Sequence, residues 1–184
     1  MTLKITVIGR GHVGGGLAQL WRQAGHDVTG LGQDGGDASD ADVVVVSVPG
    51  PAIAAALAGV TGLAGKPTID TCNIYGQRPT GHPSLTLQIK ELIGGPTAKS
   101  FSTNFAAAYD QISKQRVTPT NLFAAEPGIR ALTERLIIEA GYEPVFVGDI
   151  DPGARLLEDS SGLTRAVAAE LGPFFYRYAS VGDL

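Results

Sequence analysis

Apolar residues follow two alternating patterns along this chain: short runs rich in β-branched residues, and longer segments with apolar positions at helical spacing. The run VVVVSV at 43–48 is typical of a parallel strand buried on both faces, whereas residues 27–31 are weakly apolar and predict an edge strand. The predicted strands are 3–9, 27–31, 43–48, 67–71, 98–103, 121–125 and 145–147.

Helices are predicted in the segments between these strands. The first helix follows the first strand and is predicted to end at Gly25, and Ser84 is a predicted N-cap of a later helix. Asp151 as a cap and Pro152 in the first turn predict the start of a C-terminal helical region. Strands that alternate with helices predict an α/β fold built on a mostly parallel sheet. The helical apolar positions are Val13, Leu17, Leu20, Trp21 and Ala24, then Leu85, Ile89, Leu92 and Ile93, then Ile129, Leu132, Leu136 and Ala140.

Residues 43–65 contain no charge and by length alone are sufficient to span a membrane. Pro49, Gly50 and Pro51 interrupt this run, with a β-branched segment before them and an Ala-rich segment after them. We therefore predict a buried strand followed by a helix.

Composition narrows the classes of function. The 184 residues carry a net charge of −4, and the lysines and arginines are scattered, which argues against a nucleic-acid partner. The only cysteine, Cys72, excludes an internal disulfide, and the three separated histidines do not have the spacing of a zinc site. Without a signal-like segment at the start, we expect a cytoplasmic protein.

A glycine cluster follows the first predicted strand. Gly9, Gly11 and Gly14 form G-x-G-x-x-G between that strand and a helix, which is the context that a dinucleotide-binding fingerprint requires. The first glycine allows a tight turn, the second lets a pyrophosphate approach the backbone, and the third allows close packing of helix on strand. The phosphates would then lie at the helix N-terminus, where free N–H groups favour anions.

Neighbouring positions have more than one interpretation. Gly15 and Gly16 lie outside the fingerprint and weaken the first helical turn, but they would permit close approach of another backbone or of a second ligand. His12 either lies near the phosphates or is a solvated residue of the first turn.

Five blocks of the sequence carry a resemblance to a known family: GRGHVGGGLAQLWRQAGHDV, ADVVVVSVPGPAIAAAL, KPTIDTCN, AKSFSTNFA and GYEPVFVGDIDPGARLLED. Together they resemble the coenzyme F420-dependent NADP oxidoreductases, which transfer hydride between NADP and a deazaflavin. The resemblance extends over nearly the whole chain. It implies a doubly wound Rossmann-type sheet with helices on both faces, in one domain of residues 1–184, with a nucleotide-binding half of about 1–105 and a C-terminal part of about 106–184.

The resemblance also implies cofactor contacts. Residues after the third and fourth strands would lie along the cofactor, although Pro49 could simply start a helix and Asn73 could simply form a turn. Ser102 replaces the asparagine that the family has near the nicotinamide, and it offers a shorter reach. The candidate cofactor-binding residues are Gly9, Arg10, Gly11, His12, Val13, Gly14, Gly32, Gln33, Asp34, Ser47, Val48, Pro49, Asn73 and Ser102.

The end of the second strand departs from the family pattern. NADP-dependent relatives place Ser-Arg there to hold the 2′-phosphate, whereas this chain has Gly32 and Gln33. Asp34 either binds a ribose 2′-hydroxyl, as in NAD enzymes, or is a loop residue. Its carboxylate would repel a 2′-phosphate, and Arg10 in the first loop could compensate for that charge. The resemblance favours NADP, and NAD remains an alternative.

The second crossover is short. Residues 32–41 leave no room for the helix and strand that the family has there, so we predict a sheet without an outer strand beyond 27–31 and a more open adenosine pocket. The C-terminal helix, with GPFFYRYAS at its end, is expected to cover the sheet or a partner subunit in a homodimer.

The implied reaction is hydride transfer between the nicotinamide and a deazaflavin or flavin, which needs no side-chain acid. The sequence leaves the catalytic residues unassigned, and no metal ligand is predicted. A carbonyl or imine acceptor would need a proton donor, for which Tyr75, His82 and Tyr109 are candidates, although each can equally be a surface or packing residue. A non-catalytic dinucleotide-binding or sensor module is the alternative function.

Overall fold

The structure is a computed structural model that describes residues 1–74, 78 and 81–183. Its strands are β1 Lys4–Ile8, β2 Asp27–Leu31, β3 Gly36–Asp37, β4 Val43–Val46, β5 Val60–Thr61, β6 Thr68–Asp70, β7 Thr97–Lys99, β8 Thr120–Ala125 and β9 Glu143–Phe146. Its helices are α1 His12–Gln23, α2 Ile53–Ala58, α3 Leu85–Ile93, α4 Pro127–Glu139, α5 Ile150–Asp159 and α6 Ser161–Leu171. Two 3₁₀ segments, Gly50–Ala52 and Ala106–Lys114, precede α2 and β8.

The main sheet has the strand order β2-β1-β4-β6-β7-β8-β9. The first five of these strands are mutually parallel, β8 is antiparallel to β7, and β9 is parallel to β8. The predicted doubly wound, mostly parallel sheet is therefore confirmed, and β2 is an edge strand as expected. The chain passes from β1 to β2 on one side and to β4 on the other, so the strand order reverses at β1.

The valines of β4 point alternately to the two faces of the sheet, so both faces are apolar. Helices cover and bury each of them. Val43 and Val45 belong to one apolar core with α1 and α4, whereas Val44 and Val46 belong to a second core with α2 and α3. The predicted strand and helix within residues 43–65 are likewise confirmed. No helix among the described residues is both long and apolar enough to cross a bilayer.

The short second crossover is also as predicted. Residues 32–35 make a tight turn, closed by a hydrogen bond from the Gly35 N–H to the Gly32 carbonyl at 3.2 Å. The two-residue β3 then pairs with β5 outside the main sheet. Among the described residues no strand lies beyond β2, because residues 32–41 are long enough only for this turn and for β3.

Two boundaries differ from the sequence prediction. The strand predicted at 98–103 ends at Lys99, because the chain turns at Phe101, whose φ is +60°. The C-terminal helix is capped by Asp149, whose carboxylate accepts from the Ile150 N–H, rather than by Asp151. Asp151 has extended backbone angles inside α5, so the regular helical turns begin at Pro152 as the sequence indicates.

The C-terminal segment lies against the sheet. Phe175 packs against the core that contains α1 and α4, and the Tyr176 carbonyl accepts from the Thr120 N–H at the start of β8. By contrast, α6 has no buried residue, and Leu163 and Leu171 on it are exposed. The sheet is thus covered by the non-helical residues after α6 and not, as predicted, by the C-terminal helix itself, and a homodimer remains a prediction.

Candidate dinucleotide site

The glycine fingerprint lies where β1, β2 and β4 end together. The Gly9 N–H donates to the Leu31 carbonyl at 2.9 Å, and the Ser47 N–H donates to the Ile8 carbonyl at 2.8 Å. Gly9 has a φ of +104°, and a Cβ on it would lie 2.1 Å from the Ser47 carbonyl oxygen. A Cβ on Gly14 would lie 2.1 Å from the Gly9 carbonyl oxygen. These two glycines are therefore required by the packing of the loop on β4 and of α1 on the loop.

Gly11 differs from both, because a Cβ on it would meet nothing within 4 Å. It is the N-cap of α1, where no side chain caps the helix and the first turn contains no acidic residue. The first N–H groups of a helix have no intrahelical partner and attract anions. The fold therefore leaves free, beside these donors, the space that a pyrophosphate would need.

A cleft of about 520 Å³ adjoins Gly11 at this edge of the sheet. It lies between the loop after β1 and the loop after β4, which is the point at which the strand order reverses and at which open α/β sheets bind ligands. Its lining is mainly apolar on the side of α2. The lining residues are Ile8, Gly9, Arg10, Gly11, Gly32, Gln33, Ser47, Val48, Pro49, Ala52, Ala55 and Ala56.

A second, smaller cavity of about 140 Å³ is lined by Val13 of α1, which follows Gly11 of the cleft by two positions. Asn73 and Ser102 meet there, since the Asn73 Nδ2 donates to the Ser102 carbonyl at 2.6 Å. Asn73 Oδ1 and Ser102 Oγ are buried and have no hydrogen-bond partner among the described residues. Buried polar atoms without partners are costly, so this pair indicates a missing polar ligand. Ser161 and Thr164 of α6 border the same cavity.

Phe101 positions Ser102 in this cavity. Its positive φ is unusual for a bulky residue and costs of order 1–3 kcal/mol. The side chain is buried, and its ring packs edge-on against the rings of Trp21 and Tyr142. Core packing thus holds the strained turn that follows β7.

The structure places most of the predicted site residues at these two cavities. Two of the others lie outside both: His12 is exposed in the first turn of α1, and Asp34 is exposed at the corner of the 32–35 turn. Gly14 is buried beneath the loop. Gly16, which the fingerprint leaves unexplained, lies against the Tyr109 ring, where a Cβ would come within 2.5 Å of a ring carbon.

None of the three candidate proton donors is shown at either cavity. Burial raises the pKa of Tyr109 well above its usual range, and its hydroxyl has no hydrogen-bond partner among the described residues. His82 lies 3.0 Å from the exposed Glu91 carboxylate. Tyr75 lies outside the described residues. Tyr109 therefore packs on Gly16 and lines a separate cavity of about 670 Å³, and His82 belongs to the surface near α3.

A buried ionic cluster beside the site is absent from the sequence prediction. The Lys99 ammonium is fully buried, 2.9 Å from the Asp70 carboxylate and 3.6 Å from the Glu158 carboxylate of α5. Asp70 also accepts from the Thr86 hydroxyl at 2.7 Å. The sequence could have indicated this cluster, because Asp70 and Lys99 are charged residues at the ends of otherwise buried strands. Because Asn73 and Ser102 follow these two residues by three positions each, the cluster fixes the segments that reach the small cavity.

The sequence matches no family model and no curated protein, whereas its fold matches solved structures. A crystal structure from Arthrobacter sp. FB24, to which F420-dependent NADP reductase activity is attributed, superposes with a TM-score of 0.81 at 23% identity. That alignment covers 97% of this chain and 100% of the other.

Larger reductases share the same fold. A reductive aminase from Aspergillus terreus, crystallised with NADPH, has a TM-score of 0.66 at 18% identity, with 93% of this chain and 64% of that chain covered. An imine reductase variant from Myxococcus stipitatus, crystallised with NAD+, has a TM-score of 0.64 at 17% identity, with 94% and 63% covered. The chain thus spans slightly under two thirds of these enzymes. At such identities the likeness establishes the fold.

Proposed function

We propose that this protein is an oxidoreductase that binds a nicotinamide dinucleotide, NADP or NAD, and transfers hydride between it and a small acceptor. The observation that carries the proposal is the cleft at the strand-order reversal, with open space at Gly11 and with unpartnered polar atoms in the adjoining cavity. The resemblance of the sequence and the fold shared with dinucleotide-bound reductases support it.

The residues present fit such a cofactor from one end to the other. The N–H groups at the start of α1 would bind the pyrophosphate, and Val48, Pro49 and Ala52 would pack against the adenosine. Asn73 Oδ1 and Ser102 Oγ would accept and donate hydrogen bonds at the carboxamide of the nicotinamide. When bound, the cofactor supplies or accepts a hydride at its nicotinamide ring.

Positioning and exclusion of water would then be the main work of the protein. No tyrosine or histidine lines either cavity in the part of the chain that the structure describes. This suits an acceptor that takes hydride without a protein acid, and we infer a deazaflavin or a flavin as the acceptor class. A cytoplasmic location, which the cysteine usage supports, and a homodimer, which the exposed α6 supports, belong to the same proposal.

Absorbance at 340 nm tests this proposal. Purified protein is mixed with NADPH or NADH and with coenzyme F420, FMN or a carbonyl compound, and oxidation of the nicotinamide is followed by stopped flow. We expect turnover with F420 or FMN, and loss of that turnover in Gly11→Val, with Gly162→Val on the exposed face of α6 as the control. Binding of the dinucleotide without turnover on any acceptor would instead indicate a non-catalytic module.

A further inference from the structure

A cation from the glycine loop lies at the end of β2. The Arg10 side chain runs across two glycines of that strand and its turn: a Cβ on Gly30 would be 3.3 Å from Arg10 Cγ, and one on Gly32 would be 2.1 Å from an Arg10 terminal nitrogen. Any side chain at Gly32 would therefore displace the guanidinium. Because Gly30 and Gly32 have no side chains, Arg10 can lie across the end of β2.

In a dinucleotide cleft, residues at this position distinguish NADP from NAD. The end of the second strand lies beside the adenosine ribose, where an acidic residue binds a 2′-hydroxyl or an arginine accommodates a 2′-phosphate. Arg10, Gly32 and Gln33 line the cleft together, and among the described residues no carboxylate lines it. Asp34 is exposed and is not one of the lining residues. Among the described residues, Arg10 is therefore the one charged side chain that lines the cleft.

We propose that Arg10 binds the 2′-phosphate of NADP and makes this protein selective for NADP(H) over NAD(H). A guanidinium presents a planar fork of donors that matches phosphate oxygens, and its charge is retained at all relevant pH values. Gln33 offers an amide donor on the same wall of the cleft. The residue that selects the cofactor thus comes from the β1–α1 loop rather than from β2. This inference rests on the proposed dinucleotide site.

Calorimetric titration distinguishes recognition of the 2′-phosphate from recognition of the pyrophosphate, and it requires no turnover. The ligands are NADPH and NADH, together with the fragments 2′,5′-ADP and 5′-ADP, and the variants are Arg10→Met and Gly32→Val. Arg116→Met, an exposed arginine that does not line the cleft, is the matched control. Circular dichroism and the thermal midpoint verify that each variant is folded.

We expect Arg10→Met to weaken NADPH and 2′,5′-ADP about 10- to 100-fold, the range for hydrogen bonds to a charged group, and to leave NADH and 5′-ADP unchanged. Gly32→Val should reproduce that loss because it displaces the guanidinium, and Arg116→Met should bind like wild type. Equal affinity of the wild type for NADPH and NADH, or equal loss of both in Arg10→Met, would overturn the inference while leaving the cleft in place. Failure of the wild type to bind any of the four ligands would instead remove the proposed function.

Discussion

At the residue scale, three glycines of one fingerprint have two different physical roles. Gly9 and Gly14 are required by the protein itself, since a Cβ on either would lie 2.1 Å from a backbone oxygen. Gly11 is not required by the fold, because a Cβ there would point into open space beside the helix N-terminus. Packing therefore does not explain the glycine at position 11, whereas the proposed dinucleotide site does.

Replacement of Gly14 by alanine tests the packing role. We expect Gly14→Ala to lower the free energy of unfolding by about 1–3 kcal/mol, because α1 must move away from the loop to admit the methyl group. Gly162→Ala is the control: it lies in α6 with open space around it and should gain up to about 1 kcal/mol from helix propensity. Urea unfolding measures both changes. A neutral Gly14→Ala would show that the loop and helix are not in close contact.

Not every feature of the site was accessible from the residues alone. The fingerprint predicted a phosphate site because its glycines have fixed offsets from a strand and a helix. The sequence suggested Arg10 as a compensating cation near Asp34, but its contact with Gly32 could not be predicted, because it depends on how two loops distant in sequence meet at one sheet edge. The contact between Gly16 and Tyr109 is equally non-local, and the sequence indicated only that something must come close there.

At the element scale, the buried Lys99 joins three elements that the apolar pattern does not connect. Its ammonium contacts carboxylates of β6 and α5, and Glu158 in turn accepts from the Leu85 N–H at the start of α3. A buried ion pair is costly to form but much more costly to break on one side, because the remaining charges stay desolvated.

We therefore expect Lys99→Met to lower the free energy of unfolding by about 3–5 kcal/mol. Lys4→Met is the control, because the Lys4–Asp40 pair is exposed and should contribute less than about 1 kcal/mol. Chemical unfolding at neutral pH compares the two variants. A loss for Lys99→Met no larger than that for Lys4→Met would show that the cluster contributes no more than a surface pair.

This loss should also depend on pH. Burial raises the pKa of Glu158 above its ordinary 4.5, and the neighbouring Lys99 ammonium opposes that rise. Without the ammonium the pKa of Glu158 rises further, and a carboxyl with a raised folded pKa contributes stability at low pH that is lost as the pH rises through that value. The deficit of Lys99→Met relative to wild type should therefore be smaller at pH 5 than at pH 8. A deficit that is constant or larger at pH 5 would contradict this assignment.

The elements themselves were largely predictable, and the exceptions have identifiable causes. Continuous valines and helical periodicity located the parallel strands and their helices, because each pattern matches burial on two faces or one. The antiparallel β8 was not predicted, because its direction depends on how the 3₁₀ segment Ala106–Lys114 packs against α1. The turn at Phe101 was missed because tertiary packing on Trp21 and Tyr142, not local propensity, stabilises it.

At the scale of the whole molecule, one sheet edge collects the features of the site from distant parts of the chain. The loops after β1, β2 and β4 form the larger cleft, and residues that follow β6 and β7 form the smaller cavity. The short second crossover leaves β2 at the edge of the sheet, so the end of the cleft where we place the adenosine is bordered by Arg10, the 32–35 turn and α2.

Whether the glycine loop holds a dinucleotide can be measured by calorimetric titration of NADPH into the wild type and into Gly11→Val. Calorimetry is preferred to intrinsic fluorescence, because the indole of Trp21 is fully buried and bonded to the Leu136 carbonyl. We predict that the wild type binds one NADPH per chain in the micromolar range or tighter, and that Gly11→Val folds normally and does not bind it. Unchanged affinity in Gly11→Val, or no binding by the wild type, would show that this loop does not hold a dinucleotide.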